Sequence, residues 1–253
     1  MDEPRRVRVL DVPVDSVDMA GALAYIARYI RLATEPGTIL AVNPEKVYAL
    51  RANAFLMRFF EQGTLLLPDG IGVVLAMNFL HGAKVGRVPG ADLMQELCKM
   101  AAQEGLGIFV YGAKEEVNHR SVELLRQHYP GIRIVGRANG YVRPEEMDGL
   151  VASINASGAE ILFVALGSPR QEQWLHDHLP ALTIKICQGI GGTLDTITGD
   201  VRRAPAIFRR SGLEWLYRLM RQPGRWRRQI VYPLFVMEVM KQALTARQRR
   251  GRR

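Results

Sequence analysis

The sequence has little that would tie it to an oxidising compartment or carry it through a membrane. It holds only two cysteines in 253 residues. Cys98 and Cys187 are far apart and lack any partner motif, which predicts buried thiols in a reducing compartment rather than a disulfide framework. No run approaches 18 uncharged apolar residues, so no membrane-spanning helix is expected. The first nine residues carry charges of both signs and no apolar stretch, unlike a secretory signal. Metal and cofactor signatures are also missing. There is no D-x-D triad, no His/Cys cluster with ligand spacing and no G-x-x-x-x-G-K-[ST] loop. Leu194 stands where a dinucleotide fingerprint beginning at Gly189 would need its last glycine. His119, His128, His176 and His178 are scattered on helical patterns and read as surface residues.

What is present is an uneven charge. The net charge is +9, yet 15 of the 34 Lys/Arg residues lie between Arg202 and Arg253, against only Glu214 and Glu238. The balance is +13 there and −4 over the residues before it. A basic tail of this kind seeks anions: ligand phosphates, nucleic acid or a lipid surface. Trp226, Phe235, Met240 and other apolar side chains alternate with the arginines. That favours an interfacial helix on an anionic membrane over nucleic-acid binding. Pro233 is expected to kink or interrupt the last helix.

Hydropathy alternates short apolar runs with helical periodicity. Strands are expected at Thr38–Val42, Leu65–Leu67, Gly107–Tyr111, Ile132–Val135, Glu160–Leu166 and Thr183–Cys187. One helix is expected over Pro44–Phe60, and others over Val73–Leu80, Ala91–Glu104, Glu115–His128, Pro144–Ala156, Arg170–His178 and Ile207–Met220. Such alternation predicts an α/β fold: a mainly parallel sheet with helices on both faces. A core over residues 1–199 and a basic helical appendage over 200–253 follow from the change of pattern near Gly199.

In a sheet of this kind ligands bind at the carboxyl ends of strands. The loops there hold the candidate residues. Asp69, between Pro68 and Gly70, is placed to act as a general base, although Pro-Asp-Gly is also a common turn. Asn43 offers an amide to a ligand and is equally suited to cap the next helix. Arg87 lies in a glycine-rich link and is a candidate phosphate donor. Gly167-Ser168-Pro169-Arg170-Gln171-Glu172 and Gly189-Ile190-Gly191-Gly192-Thr193 each turn from a strand toward a helix, where backbone N–H groups suit a phosphate or polar ligand.

Taken in order, these segments resemble the WecG/TagA/CpsF family of bacterial glycosyltransferases. The resemblance rests on Asn43-Pro44-Glu45-Lys46, Pro68-Asp69-Gly70-Ile71-Gly72, Arg87-Val88-Pro89-Gly90-Ala91-Asp92, Phe109-Val110-Tyr111-Gly112, Gly140-Tyr141 and Gly167 through Glu172. It continues in Gly189 through Asp195, Arg203-Ala204-Pro205 and Gly212 through Leu219. It implies a Rossmann-like core and inverting transfer of a sugar from a UDP-sugar to an undecaprenyl-diphosphate-linked sugar at the inner face of the cytoplasmic membrane. The sugar is N-acetylmannosamine, its uronic acid or glucose, and the products are cell-surface polysaccharide or teichoic acid.

The same resemblance implies Asp69 as the base, with Asn43, Arg87 and Gln171 lining the pocket. Gly112, Gly167, Gly191, Gly192 and Asp195 are placed near the nucleotide, and Arg218, Arg225 and Arg228 are brought to the diphosphate by the appendage. No metal, no cofactor and no nucleic-acid partner is implied. One departure is Ala41, where relatives often carry threonine. A nucleic-acid-binding protein and a nucleotide-dependent oxidoreductase are the readings from other classes.

Overall fold

The computed structural model describes residues 3–205, 207–208, 212, 214–221 and 230–250. A hairpin of β1 (Arg6–Val9) and β2 (Val12–Asp15) and helix α1 (Met19–Leu32) come first, three elements that the hydropathy alternation does not announce. The chain then runs β3 (Gly37–Val42), α2 (Pro44–Arg51), α3 (Ala54–Glu61), β4 (Leu65–Pro68), α4 (Ile71–His81), α5 (Gly90–Glu104) and β5 (Gly107–Gly112). It continues with α6 (Glu115–His128), β6 (Arg133–Ala138), α7 (Met147–Ala156), β7 (Ile161–Ala165), α8 (Arg170–His178), β8 (Ile186–Gly189) and α9 (Thr193–Ile197). Helices α10 (Glu214–Arg221) and α11 (Val231–Arg250) close the described chain.

The main sheet has six strands in the order β4-β3-β8-β7-β5-β6, and each neighbouring pair is parallel. Both faces are covered, which is why the strands are apolar throughout rather than alternating. Side chains still divide by the two-residue period. Leu40, Val42, Leu162 and Val164 face a core shared with α2, α3, α4, α7 and α8. Ile39, Ile161, Phe163 and Ile186 face the opposite core with α1, α5, α6 and α9. Cys98 and Cys187 are free and buried in these cores. Burial pushes the Cys98 thiol up to about 12 and the Cys187 thiol higher still, so neither is set up as a nucleophile.

Several expected boundaries move. The single helix over Pro44–Phe60 is two, because the Asn53 side chain caps a fresh start by accepting from the N–H groups of Phe55 and Leu56. The last strand begins at Ile186 rather than Thr183; the Thr183 N–H is instead held by the Asn155 side chain. Gly136, expected in a loop, lies inside β6 against the Phe109 ring. Pro233 does not interrupt α11, which runs through it. It falls in the first turn, where a helix has no partner for the missing N–H.

The C-terminal helix is seated on the core. Phe235 and Val239 are buried in the cluster formed with α2 and α4. Glu238 accepts from the Tyr48 hydroxyl at 3.1 Å and pairs with Arg51 on α2. The Gln242 side chain accepts from the Leu10 N–H of the N-terminal hairpin at 3.1 Å.

Candidate active site

The helix following β3 packs on one face of the sheet and the helix following β8 on the other. The chain therefore parts above these two strands, and a crevice opens at their carboxyl ends. There a cleft of about 730 Å³ is floored by the loops after β4, β3, β8 and β7, four neighbours in the sheet. Its outer wall comes from residues 199–203 together with Glu214 and Tyr217 of α10.

Asn43 and Asp69 stand side by side on this floor. Asn43 is the N-cap of α2, its Oδ1 accepting from the Lys46 N–H at 2.9 Å, so the capping role is real. The same side chain also lines the cleft. The Asp69 N–H bonds to the carbonyls of Val42 at 3.0 Å and Leu67 at 2.9 Å, which fixes the residue between the two strand ends. Close approach of the two loops depends on Gly70. A side-chain carbon there would stand 2.7 Å from the Pro44 ring and 2.9 Å from Asn43 Cβ.

A smaller annexe of about 110 Å³ shares Asn43 and Asp69 with the main cleft. Arg87, Glu214, Trp215 and Tyr232 line it. Arg87 lies 3.8 Å from the Glu214 carboxylate, and both side chains are largely buried. Trp215 and Tyr232 stack with ring centroids 4.7 Å apart, joining α10 to α11 over the annexe. Asn43, Asp69 and Glu214 are thus the residues from which both spaces are reached.

Gln171 lines the opposite side of the floor, where its Oε1 accepts from the Gly191 N–H at 3.0 Å. Gly191, Gly192 and Asp195 also line the cleft. Gly167 and Gly112 do not. Gly167 accepts from the Gln171 N–H at 2.9 Å and so sets the start of α8. Gly112 has φ +122°, and a side chain there would meet the Ala165 backbone at 2.5 Å, so its place is in the contact of β5 with β7. Ala41 lines the floor. Arg218 falls on α10, but its side chain lies outside the described residues, as do Arg225 and Arg228.

Two charge pairs in the cleft went unread in the sequence. Lys46 donates to Glu172 at 2.7 Å and to Ser168, with the Glu172 side chain 2 % exposed. Arg203 pairs with Asp92. Lys46 gave one local signal: a lysine in a first helical turn opposes the helix dipole and needs a carboxylate partner. Nothing local marks Arg203. Among the described residues, no group of three or more His, Cys, Asp or Glu is gathered as a metal site. No helix among them is long and apolar enough to cross a membrane.

Strand-end loops over a parallel sheet, with a carboxylate beside an amide at the junction of two spaces, suit the transfer of a group between two polar ligands. Comparison with known families agrees. The family model described as glycosyl transferase WecG/TagA/CpsF matches residues 7–249, nearly the whole chain. The chain belongs to this glycosyltransferase family.

Proposed function

We propose that the protein transfers a sugar from a UDP-sugar to an undecaprenyl-diphosphate-linked sugar, with inversion at the anomeric carbon and without a metal ion. The observation that carries this reading is the position of Asp69 at the junction of the 730 Å³ cleft and the annexe beneath α10 and α11. The donor occupies the larger space, with its diphosphate toward the Gly191-Gly192 loop and the basic residues of the outer wall. The acceptor sugar enters through the annexe. Asp69 takes the proton from the acceptor hydroxyl as its oxygen attacks the anomeric carbon from the face opposite UDP. Asn43 orients the attacking group. The charge on the departing UDP is stabilised by arginine, with Arg218, Arg225 and Arg228 as the residues assigned to it.

The acceptor's lipid fixes where the enzyme works. Helix α11 exposes Leu234, Val236, Met237, Met240 and Leu244, and the adjoining α4 exposes Leu75 and Phe79. This apolar surface, beside a basic tail, supports peripheral attachment to the inner face of the cytoplasmic membrane.

Asp69→Asn tests the assignment. Turnover with a lipid-linked acceptor in vesicles is expected to fall roughly 100- to 10,000-fold, the usual worth of a general base. UDP affinity by calorimetry is expected to hold within about twofold, because the substitution removes a proton acceptor and little volume. Near-normal turnover would refute the role.

A further inference from the structure

Lys46 reaches across the floor of the cleft. Its backbone N–H is held by Asn43 Oδ1 at 2.9 Å, while its ammonium donates to Glu172 at 2.7 Å and to Ser168 in the loop after β7. The lysine side chain is only 12 % exposed, whereas Ser168 is an exposed residue that lines the cleft. The contact between them is one-sided. An ammonium has three donors and no acceptor, so the Ser168 oxygen enters it as the acceptor. The hydroxyl hydrogen is thereby turned away from Lys46 and left to donate.

Charge and position narrow what it donates to. The Glu172 carboxylate balances the charge of Lys46. Ser168 is therefore a hydrogen-bond donor backed by a neutral pair, which suits an uncharged oxygen better than a phosphate, whose charge calls for an unpaired cation. Asn43, Lys46 and Ser168 lie where the chain enters α2 and α8, packed on one face of the sheet, and Gly191 and Gly192 lead into α9 on the other. With the diphosphate toward the glycine loop, the side of Asn43 and Ser168 is left to the sugar. We propose that Ser168, oriented by Lys46, donates a hydrogen bond to an uncharged oxygen of the transferred hexose and so helps to select the donor sugar. This rests on the UDP-sugar reading above and deepens it. Lys46 is the positioning residue.

Calorimetry on the full chain with UDP, UDP-N-acetylmannosamine and UDP-glucose tests the assignment. At least one of the two UDP-hexoses is expected to bind wild type more tightly than UDP. Ser168→Ala lowers that added affinity about two- to tenfold, the worth of one hydrogen bond, and leaves UDP binding unchanged. Lys46→Met gives the same loss, and Lys46→Arg, again a donor without an acceptor, retains the hexose preference. Adding Lys46→Met to Ser168→Ala lowers the preference no further. The ratio of UDP-hexose to UDP affinity is read within each variant, so damage to the fold, which weakens both, does not move it. Should Lys46→Met not fold, because Glu172 is left buried without its cation, Ser168→Ala carries the test alone, since it removes only an exposed hydroxyl.

Equal weakening of UDP and UDP-hexose in Ser168→Ala would assign the hydroxyl to the nucleotide and overturn the proposal. So would wild-type affinities that are the same for UDP and both UDP-hexoses. Failure of wild type to bind any uridine nucleotide brings down the donor reading and this inference together. A hexose preference that is present in wild type and indifferent to Ser168→Ala overturns the Ser168 assignment alone.

Discussion

At the floor of the cleft, Asp69 is held by backbone hydrogen bonds at the ends of paired strands, and the Asn43 and Gln171 side chains accept from the backbone N–H groups of Lys46 and Gly191. Along the outer wall, residues 199–203 and α10 are held to the body by charge pairs, Arg203 with Asp92 and Arg87 with Glu214. The floor is thus tied by short hydrogen bonds to the loops that leave the strand ends. The wall depends on two ion pairs: Arg203 with Asp92 is partly exposed, where attraction is modest and weakened by salt, and Arg87 with Glu214 is largely buried but 3.8 Å apart. Precise geometry is thus found where the proposed base lies, and a softer attachment along the side by which the proposed donor would enter.

Substitutions can set the two regions apart, beginning with the largest effect. Gly70→Ala drives a methyl group into Pro44 and Asn43 and separates the two loops of the floor. Overpacking of this kind costs about 1–3 kcal/mol in a thermal melt. A displacement of the catalytic groups on the order of 1 Å is expected to cost roughly 100-fold in kcat. A variant with normal kcat would show that the approach of Asn43 to Asp69 does not matter. Glu214→Gln, on the wall, is expected to act differently. The melting temperature falls modestly, since the change leaves the largely buried Arg87 guanidinium without its charged partner but with a hydrogen-bonding amide in its place. KM for the donor shifts a few-fold, and the shift shrinks as salt is raised. Loss of kcat equal to that of Gly70→Ala would erase the distinction between floor and wall.

The smallest effect concerns the seating of α11. The hydrogen bond from Arg51 holds the Glu238 carboxyl below its ordinary value of 4.5, against an opposing contribution from burial, with Tyr48 adding a second hydrogen bond. A carboxyl whose pKa is depressed in the folded state contributes stability above its ordinary range and loses it as pH falls through the depressed value. Amide protection in α11, corrected for the intrinsic exchange rate, is therefore expected to fall below about pH 4.5, ahead of protection in the sheet. Glu238→Gln should remove that difference. Exchange in α11 that tracks the sheet at every pH would show that Glu238 has no part in holding the helix.

Much of the architecture was legible because both faces of the sheet are buried. Apolar runs such as Thr38–Val42 and Glu160–Leu166 mark themselves as interior strands, and the turns between them locate the loops where Asn43, Asp69 and Gln171 meet. Strand order is another matter. That β8 and β7 come to lie between β3 and β5 depends on crossovers whose route no local pattern records. The hairpin of Arg6–Val9 and Val12–Asp15 escaped notice because its strands are only four residues long and the first alternates exposed arginines with valine. The pairing of Lys46 with Glu172 joins residues 126 apart in the chain, and charge pairs over such distances leave no periodicity to find.

The bond between the Leu10 amide and the Gln242 side chain brings the opening hairpin against the closing helix. The hairpin and α11 are thereby fastened to each other, and α11 packs beside α4, which carries Leu75 and Phe79. A substitution that displaces Leu10 therefore acts directly on the seating of α11. The hairpin is in this sense a mechanical support for the roof of the annexe.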